Sequence, residues 1–349
     1  MIDESRRQGD RPAPRWRDAG LPPAALGRYP DLLFDRTIPV VTDHLRALAL
    51  SALRSLLACV AERLLYDIED FGKSLDISRA LDRMLGSPGV RDAELSAALV
   101  QRAEEHLVAE RLANLDEIAF DLDAAISGPM LARLAEYEDA QVRSPVLTFS
   151  RLMELRCGEE PRLLMDELPA ALAERLYWLL SAELARGQDT ATVRMICGAV
   201  ERLIAERDIV RSAQHAAVML MQRLEEREEL TDGFVLRLVA EGEVLLAVAA
   251  LAVRGRVSTG TAWVLLLRGE PDVQAAYLAA TGFGNQAGAR IIALLRWAGG
   301  RDEDYRQAVR GAKDAFDRLD RDDANASLEW WRLNREFRLA HAQMVRNAD

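Results

Sequence analysis

The stretch "YLAATGFGNQAGARIIALL", Tyr277 to Leu295, decides the fold. Its glycines, Gly282, Gly284 and Gly288, could cradle a phosphate or mark the gap between two helices. A dinucleotide-binding loop needs a strand before the first glycine, Gly-x-Gly-x-x-Gly spacing, and an acidic residue about 20 positions on. Here Ala275 to Thr281 is helical in pattern and the third glycine is displaced to Gly288. No β-rich segment precedes either Asp302 or Glu303. The loop therefore reads as a joint between helices.

Moving upstream, Gly242, Gly255, Gly269 and Gly282 follow one another at intervals of 13, 14 and 13 residues. Between them lie "EVLLAVAALAVR", "STGTAWVLLLR" and "PDVQAAYLAAT", each long enough for about three helical turns. Ser258 or Thr259 suits a helix cap and Pro271 a first turn. Each glycine falls where a helix ends and the backbone can need a positive φ, and Asn285 suits the cap of the helix carrying Ile291 and Leu294. Short helices joined by tight turns bury their apolar faces by stacking on neighbours. The expected fold is all-α: an α-α superhelix, a HEAT- or ARM-like solenoid, with an N-terminal helical bundle portion.

The rest of the chain agrees with a helical reading. Aromatics are only 6% while hydrophobic residues reach 50%, so the core is built from Leu, Ala, Val and Ile, an alphabet that favours helices. "VVTDHLRALALSALRSLLACVAERLLYDIEDFG" keeps Leu45, Leu48, Leu53, Leu56, Val60 and Leu64 on one stripe. "GSPG" at Gly86, "SGP" at Ser127 and "RSP" at Arg143 read as helix stops or starts. From Thr190 to Arg227, Val193, Ile196, Val200, Leu203, Val210, Ala217, Met221 and Leu224 read as one long seam, with Arg207 and Gln214 interrupting it. Four regions result: an extended or disordered arm over 1–36, an N-terminal helical region over 37–143, helical repeats over 144–300, and C-terminal capping or interaction helices over 301–349.

The repeat section, "LTDGFVLRLVAEGEVLLAVAALAVRGRVSTGTAWVLL" followed by the Pro271 helix and "AATGFGNQAG", resembles a bacterial family known as a domain of unknown function and built of HEAT-like helical repeats. The similarity covers Leu147 to Leu295. It implies a stacked-helix fold and carries no catalytic residues onto this chain.

Charge and composition narrow the function. A formal charge of −11 repels phosphate backbones and anionic lipid, so neither nucleic acid nor a membrane is an expected partner. Lys73 and Lys313 are the only lysines, the remaining cations being arginine. The longest apolar run, Val244 to Val253, is half the length that spans a bilayer. Arg6 and Arg7 are followed by charge and proline, without the apolar segment an export signal needs. Cys59, Cys157 and Cys197 are far apart, each expected to pack as a small apolar residue in a reducing, cytoplasmic setting.

Candidate chemistry is sparse. "FGKSLD" at Phe71 imitates the end of a phosphate-binding loop, but Asp67 stands at the required glycine and Glu69 and Asp70 would repel phosphate. His44 in "DHLRALAL" is a phosphoacceptor candidate, which would make the protein part of a phosphorelay. Glu117 and Asp121 in "LDEIAFDLD" (Asp116 to Asp123) share a helix face, as an acid–base pair in an enzyme's helical cavity would require. No cofactor or metal spacing is present, so a cofactor is not expected. The strongest interaction feature is "SLEWWRLNREFRLAHAQMVR", Ser327 to Arg346, read as one helix. Trp330, Leu333, Phe337, Ala340 and Met344 form its stripe, and Trp330, Trp331, Arg335, Phe337 and Arg338 are the candidate contact residues, a composition typical of binding hot spots. The expected function is a non-catalytic scaffold or regulatory adaptor. Its partner is another protein or, as a homodimer, a second copy of the chain. Alanines at Trp331, Phe337 and Arg335 are expected to abolish docking and leave the fold intact.

Overall fold

The computed structural model describes residues 33, 41–66, 76–114, 129–156, 158–207, 212–302 and 304–346. Among the described residues every regular element is helical and no strand occurs. The chain divides into two compact units: Pro22–Glu229 with Ala240–Leu246, and Leu230–Val239 with Ala247–Asp349.

The first unit holds α1 (Asp43–Tyr66), α2 (Ile77–Leu85), α3 (Ala93–Ala113), α4 (Met130–Ala135), α5 (Ala140–Arg156), α6 (Ala170–Leu184), α7 (Thr190–Glu206) and α8 (Ala213–Glu226). α1 packs on α2, α3, α6 and α7, while α5 packs on α4 and α8. The α1 stripe is the reason: Leu45, Leu53, Leu56, Val60 and Leu64 are buried, and they share a core with Leu95, Leu99, Leu176 and Val200. Side-chain caps set the helix starts, with Asp76, Asp92, Asp189 and Ser212 each accepting first-turn amides. The expected 190–227 seam is two helices, because α7 ends at Arg207 in an extended conformation and Ser212 caps a new helix. Pro145 lies inside α5 and does not start it.

The second unit holds α9 (Asp232–Ala240) up to Val239, α10 (Val244–Gly255) from Ala247 on, and all of α11 (Thr259–Trp263), α12 (Pro271–Ala280), α13 (Asn285–Ala298), α14 (Tyr305–Asp317), α15 (Arg321–Arg332) and α16 (Arg335–Arg346). The segments between the spaced glycines are helices, with Ser258 capping α11 and Pro271 opening α12 as expected. α12 packs against α13, α14 and α15. A π-helical turn, Val264–Arg268, extends α11. It frees the Leu266 carbonyl, because Pro271, five residues on, has no N–H to give. The buried Gln274 amide donates to that carbonyl instead.

The spaced glycines do different work. Gly282 has φ +87° and closes α12, with Gly282 and Phe283 amides returning to the Ala279 and Leu278 carbonyls. At α10 the left-handed residue is Arg256, not Gly255. A Cβ on Gly255 would lie 2.8 Å from the Tyr277 hydroxyl, so close approach is what glycine serves there. Asn285 is the first residue of α13 and Gly284 its cap. The Gly284 amide donates to Asp232 at 2.8 Å, and Asp232 also pairs with Arg254 at 2.9 Å. The anion at this helix N-terminus is therefore the protein's own carboxylate.

No single helix among the described residues is long and apolar enough to cross a membrane. α10 and Thr259–Arg268 reach that composition only together, and they bend by 112°. Cys59 is exposed, contrary to the expected apolar packing, and Cys197 is half-buried. Cys157, the "FGKSLD" loop up to Leu75 and the 116–123 carboxylates lie outside the described residues. So does the 1–36 arm apart from Leu33, which is buried and whose carbonyl accepts Arg46 Nε at 3.2 Å.

Candidate interaction surface

The C-terminal segment is a helical hairpin rather than one helix. α15 stops at Leu333, whose backbone is extended, and Asn334 starts α16 by accepting the Glu336 and Phe337 amides at 2.8 and 3.4 Å. This break sends the expected stripe to two destinations.

One face is buried within its own unit. Trp331 is 1% exposed and meets the Tyr277 ring edge-on at 5.9 Å. Tyr277 donates its hydroxyl to the Leu251 carbonyl at 2.7 Å, and burial holds that phenol well above its ordinary pKa. Arg332 Nε donates at 2.9 Å to the carbonyl of Gly255, the last residue of α10, where a cation also suits the helix dipole. Arg338, 1% exposed, donates to Thr261 Oγ1 at 2.8 Å and to the Leu333 carbonyl at 3.3 Å. Its Nη1 has no acceptor, and burial together with the neighbouring Arg335 lowers its pKa. Leu339 and Ala342 complete this buried face.

The other face is a cluster of rings. Trp330 lies 6.1 Å from Phe337 and 5.0 Å from His341, and Phe337 lies 6.4 Å from His341. Phe337 is 54% exposed, with Leu333 and Met344 also open to solvent. Phe337, His341 and Met344 share a helix face at spacings of four and three. Most other apolar side chains in this unit are buried, so an exposed phenylalanine beside a half-buried tryptophan is a patch with the composition of a contact site.

Of the five residues expected to make contact, Trp330 and Phe337 form this face, Arg335 is exposed in the first turn of α16, and Trp331 and Arg338 anchor the hairpin from beneath. His44 belongs to the first unit and is exposed in the first turn of α1.

A second polar constellation, absent from the sequence reading, sits inside the first unit. Arg156 at the end of α5 grips Glu105 of α3 with two parallel bonds of 2.9 Å and pairs with Glu167 at 2.9 Å. Arg102 pairs with Glu105 at 3.4 Å and donates to the Arg156 and Arg162 carbonyls at 2.9 Å each. Burial alone would raise the Glu105 pKa, but Arg156 and Arg102 override it and hold the carboxyl below its usual range. Glu167 is held above its usual range by burial, despite Arg156. Two cations and two carboxylates balance, and the helix end they tie down is fixed. Among the described residues no group of three or more His, Cys, Asp or Glu is placed to hold a metal.

Over residues 92–329 the chain matches a family described as an uncharacterised protein conserved in bacteria, DUF2336. The chain belongs to this family. The match extends past the 147–295 stretch on both sides, taking in the Arg102–Glu105–Arg156 constellation and α15 up to Glu329. It stops just before Trp330, so the exposed ring cluster lies beyond it. No curated protein and no solved structure matches the chain.

Proposed function

We propose that this protein is a non-catalytic docking module, a scaffold or adaptor of the bacterial cytoplasm. It binds another protein through the Trp330–Phe337–His341 face of the C-terminal hairpin. The observation that carries this reading is the division of the hairpin: one face is fixed by Trp331, Arg332 and Arg338, while on the other Phe337 stays open beside the half-buried Trp330 and His341. A patch held on a rigid base loses little conformational freedom on binding, which favours affinity. Short helices separated by glycines in the second unit support a HEAT-like superhelical arrangement, which suits an extended contact surface.

The test separates docking from folding. Trp331→Ala is unsuitable, because emptying that buried site costs about 3–5 kcal/mol of stability. A photo-crosslinking amino acid placed at Phe337 in the native cell is expected to give a discrete protein adduct. The same probe at Asn325, exposed on α15, is expected to give none. Equal labelling at both positions, or none at Phe337, removes the docking reading.

A further inference from the structure

We propose that the protein docked by the C-terminal hairpin is a second copy of the chain, with the two α16 helices parallel about a twofold axis; this rests on the docking reading above and names its partner. A twofold contact sets one surface patch against itself, so the patch must be self-complementary. The open face of α16 meets that demand in its apolar stripe and at both edges.

Phe337, Ala340 and Met344 are exposed at spacings of three and four, the first and fourth positions of a heptad, and Leu333 is open at the bend before them. At about 100° per residue, Arg335 falls on the opposite side of the helix from this stripe, and Arg338 falls about 130° round from it. Arg338 is in addition buried, on Thr261. The stripe is therefore apolar, and neither arginine draws an acidic peptide or a phosphate backbone to it. A single-stranded nucleic acid would need a flat ring to stack on, but Trp330 meets its neighbours edge-on, at 61° and 71°.

The edges of the stripe carry one polar group each, Glu336 on one side and His341 on the other. Glu336 touches Arg335 at 3.3 Å, but that pair is exposed and worth little, so the carboxylate is available to another partner. His341 is half-buried beside Trp330 and Phe337. Parallel helices bring opposite edges of their stripes together, and the residues that meet there stand five apart, as Glu336 and His341 do. Each Glu336 then faces the partner's His341. An imidazole N–H donates to a carboxylate whether the ring is neutral or charged. Antiparallel helices set like edges together, His341 against its own copy, and leave Glu336 unmatched. The patch is small, which places the dimer among weak, transient contacts.

The experiment is sedimentation equilibrium of the full chain over a concentration series, with circular dichroism confirming the fold of each variant. The parent is expected to form a reversible dimer, and Phe337→Ala to weaken it at least about tenfold. Glu336→Lys and His341→Glu are each expected to weaken it, and the two changes together to restore it, because the reversed charges again face each other. Should His341→Glu loosen the hairpin, Phe337→Ala and Glu336→Lys, both at exposed side chains, still decide. A chain that stays monomeric at every concentration, or a dimer indifferent to Phe337→Ala or to Glu336→Lys, overturns the proposal. So does a folded double variant that fails to recover the dimer. The docking reading fails separately, when the crosslinker at Phe337 gives no adduct in the cell. An adduct of twice the chain's mass supports the second copy, and one of any other mass keeps the docking reading and replaces the second copy with a different protein.

Discussion

Arg338 donates to the Thr261 hydroxyl at 2.8 Å, joining α16 to the first turn of α11 through a buried cation and a neutral acceptor. A buried guanidinium without a carboxylate gains little from its charge and retains a desolvation cost. Arg338→Met keeps the packing volume and removes the cost, and it is expected to leave stability unchanged or raise it by about 1–2 kcal/mol. Thr261→Val leaves the guanidinium with one partner fewer, at a cost of about 1–3 kcal/mol. In the Arg338→Met background the same substitution should cost much less. Urea unfolding of the four proteins closes the cycle, and additive effects would show that the two residues are not coupled.

Gly288 answers for the closeness of α13 and α14. A Cβ there would overlap Cζ of the buried Phe316 ring. Gly288→Ala improves helix propensity by up to about 1 kcal/mol, but the overlap forces the ring or the helix to move, at about 1–3 kcal/mol. A net loss of stability is expected, and Phe316→Leu in the same chain should recover part of it. A stabilised Gly288→Ala variant would mean that the helices separate freely.

The glycines of Tyr277 to Leu295 show what the sequence could and could not disclose. Helix existence was legible from periodicity, and Ser258 and Pro271 act at α11 and α12 as their chemistry implies. The two long patterns broke where a stripe continues in register across a turn. Trp330, Leu333 and Phe337 keep their three-four spacing although the helix stops at Leu333, and the local signal was Asn334 as a cap. Ser212 is the same signal between α7 and α8. The buried arginines were hidden for a different reason. Periodicity scores Arg102 and Arg156 as surface residues, and only the fold supplies Glu105 to Arg156 from 51 positions away. The division of the candidate contact residues into anchors and open rings is equally a product of the hairpin, which no spacing rule encodes.

The Glu105–Arg156 clamp makes a sharper claim about asymmetry. Glu105→Gln keeps the shape but leaves two buried guanidiniums facing one carboxylate, Glu167. A loss of about 3–5 kcal/mol is expected. Glu105→Met with Arg156→Met removes both charges of the bidentate pair and should cost less than either single change. The same comparison by thermal unfolding decides whether the constellation stabilises or only balances itself; a double variant as damaged as the sum of the singles would contradict the balance.

Glu243 gives the fold a pH dependence of unusual direction. It lies just before α10, where burial first, then Glu241 and Glu105, raise its pKa from the ordinary 4.5 to about 7. Between those values the native state holds a proton that the unfolded state has released, so stability falls as pH rises through this window and levels off above it. The full effect is on the order of 3 kcal/mol, from about 1.4 kcal/mol per unit. Glu105, with its lowered pKa, acts oppositely on the acid side, where its protonation weakens the fold. Glu243→Gln is neutral at every pH, so it should match the parent near pH 4.5 and exceed it near pH 8. Denaturation midpoints at the two pH values read this directly. An unaltered slope in that variant would place the titration on another group, because the substituted amide retains the side-chain shape and loses only the proton equilibrium.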